Sequence, residues 1–220
     1  SSNSSTTPLI IVDGLKVDNM NYLDPDNIAS IEVLKDAASA AIYGIEAGNG
    51  VILVTTKSGK SSGKGRIFYN FMSSTQSASN LPKLMDAKTY VEYQELQGNN
   101  SKSFWDGKTD TYWPDYMLEK GQTFRHTVGV EGSSDKSNLY ISLTYVGNNG
   151  IIAGDKDVMK RLTGQINADY KISKWLTVGT NNSIQKSMLR SVSEMQRINV
   201  SVLGSMLVFE PIVPLSLINF

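Results

Sequence analysis

Cysteine is absent from these 220 residues, which excludes a disulfide framework and a thiolate metal site. Histidine occurs once, as His126, so a Ser-His-Asp triad or a histidine-rich metal centre has almost nothing to draw on. Neither sign of charge is in excess. With 21 basic residues against 21 acidic ones, there is no electrostatic case for nucleic acid. No apolar run reaches the roughly 18–20 residues of a membrane-spanning helix, a test that does not touch barrels built from short alternating strands. No secretory leader is legible at Ser1, and Ser1 to Pro8 reads as a disordered or cut polar end.

What is present divides in two. Leu9 to Val12 is a short apolar strand stopped by Asp13-Gly14, a turn pair. Asp24 before Pro25 has the chemistry of an N-cap with proline in the first helical position, so Asp26 to Ala29 is expected to form one helical turn. A single helix from Asp26 to Tyr43 is the competing reading. In Ser30 to Gly59, Ile31 and Val33 alternate with Glu32 as in a half-buried strand, and Ala37 to Ile42 favours helix. Gly44, Gly48 and Gly50 break regular structure, and Val51 to Thr56 is a buried β-branched strand. Together these make a compact α+β unit. The glycine stretch follows a helix and opens a strand, the reverse of a nucleotide loop, so its expected role is to turn the backbone.

After Lys60 to Gly65, a flexible linker by composition, the pattern changes to segments of alternating polarity. Five candidate strands appear, around Ile67–Met72, Phe124–Glu131, Leu139–Tyr145, Arg161–Tyr170 and Trp175–Ile184. Leu139, Ile141, Leu143 and Tyr145 alternate with Tyr140, Ser142 and Thr144. Leu162, Ile166, Ala168 and Tyr170 oppose Arg161, Thr163, Gln165, Asn167 and Asp169. The connections run long, short, long, short, long, the rhythm of a transmembrane barrel with short periplasmic turns and long outer loops. Leu139, Ile141 and Leu143 are then expected to face lipid, and Ser142 and Thr144 a wet lumen in which Thr144→Arg is milder than Ile141→Arg.

Candidate chemistry is sparse. His126 reads as a wall residue. Asp106, Asp110, Asp115 and Glu119 read as solvated loop charges, since a glycosidase needs two carboxylates at fixed separation. Asp155 and Asp157 miss the calcium-loop spacing. Trp105, Tyr112, Trp113 and Tyr116 offer aromatic faces suited to a substrate or partner, with local packing or an interfacial girdle as the alternatives. Phe209 to Pro214 reads as a proline-stiffened surface loop. No catalytic, cofactor or metal residue is assigned.

Several of these segments carry a family likeness. Asp13-Gly14, Ile31-Glu32-Val33-Leu34-Lys35-Asp36, Ala41-Ile42-Tyr43-Gly44, Asn49-Gly50-Val51-Ile52 and Val54-Thr55-Thr56-Lys57 resemble, in order, the plug domain of TonB-dependent outer-membrane transporters of the SusC/RagA group. Ile45 and Glu46 depart from it, standing where the family usually has a small residue and a basic one. Leu84-Met85, Trp113, Val128–Gly132, Tyr140-Ile141-Ser142-Leu143 and Gly150-Ile151-Ile152 resemble that family's first barrel strands.

The resemblance implies a piece of a longer chain. Residues 1–60 would be the later part of an α+β plug, 61–65 a linker, and 66–220 the first strands and outer loops of an antiparallel transmembrane β-barrel of about 22 strands. It implies import of a glycan or peptide at the bacterial outer membrane, without catalysis. Expected partners are a SusD-like surface lipoprotein, TonB through a segment outside this chain, and outer-membrane lipid. Asp13, Gly14, Lys35, Asp36, Tyr43, Gly44, Gly50 and Lys57 become a structural or gating motif. Two rivals stand beside it. A soluble all-β glycan-binding module with a small α+β domain would bury Leu139, Ile141 and Leu143 in a core. A glycan hydrolase would use Asp106 and Asp115.

Overall fold

A computed structural model of the protein describes residues 7–35, 41–59, 63–191 and 208–217. The chain forms two compact units, one of Ser1–Met72, Arg125–Val146 and Arg161–Ser187, the other of Ser73–Phe124, Gly147–Lys160 and Met188–Phe220.

In the first unit β1 (Leu9–Val12) turns through Asp13-Gly14 into β2 (Leu15–Val17). Both turn residues have positive φ, 49° and 85°, as a type I′ hairpin demands. Asp24 caps a 3₁₀ turn at Pro25–Asn27, its side chain accepting from the Asp26 N–H. That turn is shorter than the expected helical one, because the chain passes at once into β3 (Ile28–Leu34). β3 pairs antiparallel with β4 (Val51–Thr56), which itself lies parallel to β1, giving the order β2-β1-β4-β3.

The single-helix reading of Asp26 to Tyr43 is therefore wrong: β-branched Ile28, Ile31 and Val33 find a strand partner in β4. The half-buried expectation for β3 also fails. It is an edge strand, and Ile31 and Val33 are 54% and 53% exposed.

The alanine helix falls mostly outside the described residues, and Ala41–Tyr43 is a 3₁₀ turn. Gly44 to Gly50 is more ordered than a bare turn. Ile45–Asn49 forms a 3₁₀ helix between Gly44 (φ 76°) and Gly50 (φ 92°), backbone that L-residues seldom adopt. Ile11, Ala47 and Val51 make one small core, with Tyr43 packed against it, and Val12, Leu23 and Val54 make another.

The five expected strands are present and longer than the polarity pattern suggested: β5 (Arg66–Gln76), β6 (Gly121–Ser133), β7 (Ser137–Asn148), β8 (Val158–Lys171) and β9 (Thr177–Arg190). They form one open sheet in sequential order. Ser134 N–H bonds to Ser137 O at the β6–β7 turn, and Ile172 N–H to Leu176 O at the β8–β9 turn.

The sheet is inside-out relative to a soluble protein. Val128, Val130, Leu139, Ile141, Leu143, Leu162 and Ile166 are exposed, whereas Thr127, Tyr140, Ser142, Thr144, Thr163, Gln165 and Asn167 are buried. Leu139, Ile141 and Leu143 thus do not pack in the core that a soluble module would need. The wet-lumen expectation for Ser142 and Thr144 is corrected as well: both are buried, and an arginine at Thr144 would not be mild.

In the second unit α1 (Ala87–Leu96) is capped by Asp86, whose side chain accepts from the Thr89 N–H. A helical turn at Pro114–Met117 begins with proline in its first turn. Ala87, Val91 and Ile212 form the core with Tyr90 and Trp105 against it. Pro211 and Ile212 are buried, so Phe209 to Pro214 is only partly the surface loop expected, because Ile212 is needed to close that core.

Candidate functional site

The capped turn at Pro25–Asn27 holds three polar side chains close to the polar face of the large sheet, all within the first unit. Asp24, fully buried, has one carboxylate oxygen 3.7 Å from the Arg125 guanidinium of β6 and the other 3.5 Å from that of Arg161 of β8. Arg125 also lies 3.6 Å from Asp26. The second Asp26 oxygen accepts from the Thr127 hydroxyl at 2.8 Å, and Thr127 meets Thr144 at 3.1 Å. Asn27 Oδ1 accepts from both Tyr140 (2.9 Å) and Ser142 (2.7 Å) of β7.

A second chain of contacts starts from the hairpin. Asp13 accepts from the Thr56 N–H (2.8 Å) and hydroxyl. Asn167 of β8 donates to Thr56 Oγ1 (2.6 Å) and Lys57 O (2.8 Å), and accepts from Gln165 (2.7 Å).

Strand parity explains this gathering. Arg125 and Thr127 on β6, Tyr140, Ser142 and Thr144 on β7, and Arg161, Gln165 and Asn167 on β8 occupy alternate positions, so each set shares a face. The seam is ionic and hydrogen-bonded, yet incompletely so. Among the described residues, Asn27 Nδ2, Arg125 Nε, Arg161 Nε and Gln165 Oε1 are buried without a partner, and each such group costs about 1–3 kcal/mol. A polar seam carrying these costs is held less tightly than an apolar one of equal size.

Of the eight residues in the sequence motif, Asp13, Gly14, Tyr43, Gly44, Gly50 and Lys57 belong to the hairpin, the small core, the 3₁₀ helix and the end of β4. Lys35 is exposed just after β3, and Asp36 lies outside the described residues. Glu46, standing where a basic residue is usual, pairs with Lys16.

In the second unit, buried Trp113 donates to Glu210 O at 3.1 Å and packs on Phe209. Trp105 donates to Thr109 O at 2.7 Å, while Tyr112 and Tyr116 are exposed. These four do not form one aromatic cluster. Asp106 accepts from the Lys108 and Thr109 N–H groups and the Thr109 hydroxyl, which holds its carboxyl down at about 2. His126 meets the Tyr69 hydroxyl at 2.7 Å and lies beside the Phe71 ring. Among the described residues no cluster of three or more His, Cys, Asp or Glu side chains suits a metal ion.

Sequence reading identified the polar faces of β7 and β8 but not the residues they meet. Asp24 was legible only as a helix cap, and Asp26 and Asn27 had no signal beyond sitting beside it. Arg125 stood in a strand with no hint of a carboxylate partner about a hundred residues away.

The TonB-dependent Receptor Plug Domain family matches residues 2–51. TonB-dependent receptor P3 of Formosa agariphila is 37% identical over 181 residues, covering 82% of this chain and 17% of its own. TonB-dependent receptor SusC of Bacteroides thetaiotaomicron is 30% identical over 187 residues, covering 76% and 17%. The chain thus spans under a fifth of the length of these curated relatives. Among solved structures, the RagAB peptide importer in its closed-closed state superposes with a TM-score of 0.76 at 25% identity, covering 88% of this chain and 26% of that one. Its open-open state gives 0.73, also at 25% identity, covering 86% and 25%. Sequence likeness over most of the chain and a shared fold lead to one conclusion: the protein belongs to the SusC/RagA-type TonB-dependent receptors of the outer membrane.

Proposed function

We propose that the full-length protein imports a bulky nutrient, a glycan or a peptide, across the outer membrane without catalysing a reaction on it. Residues 1–60 act as the later part of the plug, 61–65 as a linker, and 66–220 as the first wall strands and outer loops. The plug closes the lumen and shifts when TonB, engaged through a segment outside this chain, pulls on it. A SusD-like surface lipoprotein covers the outer mouth. Asp13, Gly14, Lys35, Asp36, Tyr43, Gly44, Gly50 and Lys57 shape the plug for that movement. Exposed Tyr112 and Tyr116 offer contact to substrate or lipoprotein, while Trp105 and Trp113 are held by the Thr109 and Glu210 carbonyls.

One observation carries this reading. Asp24, Asp26, Asn27 and Thr56 meet the wall through ion pairs and hydrogen bonds rather than through an apolar seam. Neutral bonds of this kind exchange with water at a net cost of about 1 kcal/mol each and those to charged groups at about 1.5–3 kcal/mol, so the plug can be displaced without exposing a dry core. In the full-length receptor, cysteines at Asn27 and Ser142, joined by a short reducible bifunctional reagent, should block uptake of the cognate oligosaccharide or peptide. Reduction should restore it. Undiminished uptake with the cross-link in place would overturn the gating role.

A further inference from the structure

The outward face of the sheet changes chemistry at the end that carries the long connections. Along β6 the outward positions run Val130, Val128, half-buried His126, Phe124 and then Gln122, and along β9 they end in Met188 and Arg190. Phe124, Val158 and Met188 line a cleft of about 310 Å³ together with Gln122, Lys160 and Arg190. Lys160 and Arg190 are exposed, and among the described residues neither forms an ion pair. Arg190 gives one N–H to the Asp155 carbonyl at 3.5 Å, and among the described residues Asp155 is the only carboxylate lining the cleft.

In a barrel of this orientation the end with the long connections lies at the outer leaflet. Two free cations there, above an apolar floor and beside an amide, form an amphipathic socket. Apolar side chains on a membrane-facing wall accept acyl chains, and Arg and Lys are the side chains suited to phosphate, Arg through its planar fork. A soluble anion would gain nothing from Phe124, Val158 and Met188, and an uncharged lipid nothing from Lys160 and Arg190. We propose that this cleft binds the phosphorylated headgroup of an outer-leaflet glycolipid. Lys160 and Arg190 take the phosphate, Gln122 a sugar hydroxyl, and Phe124 and Met188 the first methylenes of an acyl chain.

The test uses the full-length receptor in phosphatidylethanolamine nanodiscs. Binding of lipid A is measured against enzymatically dephosphorylated lipid A, with inorganic phosphate as competitor. The intact receptor should bind the phosphorylated lipid on the order of tenfold or more tightly than the dephosphorylated one, as two basic side chains at a charged surface allow. Millimolar inorganic phosphate should not displace it. The double variant Lys160→Gln, Arg190→Gln should lose that preference while leaving binding of dephosphorylated lipid unchanged. Equal binding of both lipids by the intact receptor would overturn the proposal, as would a double variant that keeps the preference, or displacement by free phosphate. The lipid comparison needs no variant, so it stands even if the double variant fails to insert. It also reads nothing from nutrient uptake, so the import reading can fail independently.

Discussion

The small sheet and the large sheet obey the same two-residue alternation of side chains and dispose of their apolar residues in opposite ways. In the small sheet both faces carry buried apolar residues, Val51 with Ile11 on one and Val12 with Val54 on the other, as hydrophobic burial requires in water. In the large sheet the inward set is Thr127, Ser142, Thr144, Gln165 and Asn167, while Leu139, Ile141, Leu143 and Leu162 point out. Alternation therefore tells which residues share a face, and only the surroundings of that face tell whether it is core or surface. In lipid the outward apolar row has no reason to hide. The inward polar row instead meets the hydroxyls, amides and carboxylates of the plug.

The sharpest way to break this contrast is to place a charge on each apolar face. Val54→Asp puts an unpaired carboxylate among Val12 and Leu23 and should cost about 4 kcal/mol or more. Trypsin digestion of outer-membrane preparations should show the plug lost while the barrel is kept. Ile141→Arg faces lipid and should cost about 2–4 kcal/mol if it lies near the bilayer midplane, measured by denaturant unfolding in bilayers. A soluble-type sheet would tolerate that exposed arginine almost freely, so a negligible loss would dissolve the contrast.

Smaller changes sharpen it. Asn27→Ala removes the common acceptor of Tyr140 and Ser142 and leaves two buried hydroxyls short of a partner, which should cost about 1–3 kcal/mol. The expected sign is faster release of the plug, read as increased protease sensitivity with the barrel intact. Gly50→Val forces a β-branched residue to φ 92°, with its Cβ only 3.1 Å from Leu34 O. It should cost about 1–3 kcal/mol and act on the plug alone, detected by the same digestion.

The least effect comes from the loop cap at Asp106. Its carboxyl titrates at about 2 in the folded chain, below the ordinary carboxylate value near 3.9. Its contribution is therefore fully present above that ordinary value and is lost as pH falls through about 2. The difference in thermal midpoint between the native receptor and Asp106→Asn should be constant from pH 7 to 5 and shrink towards pH 2. A difference that grew on acidification would contradict the turn.

Much of this was readable in residue order because it rests on short-range physics. Asp13-Gly14 makes a type I′ turn through the backbone alone, Asp24-Pro25 caps a turn within three residues, and β-branched Val51 to Thr56 is a strand in almost any context. The period-two rows of β7 and β8 were equally plain, since side-chain direction in a strand is set by the pleat. Where the reading failed, a distant partner decided. Asp26 to Tyr43 has no local veto against helix, and β4 claims Ile28–Leu34 by pairing. Ile31 and Val33 look half-buried until β3 proves to be an edge. Trp113 looks available until the Glu210 carbonyl and the Phe209 ring cover it. The polar seam is the extreme case. Asp24, Asn27, Arg125, Tyr140, Arg161 and Asn167 are each unremarkable in sequence. They line one seam because a capped turn, the end of β4 and three strands converge across more than a hundred residues, and the energies of charge and hydrogen bonding depend on that distance in space rather than along the chain.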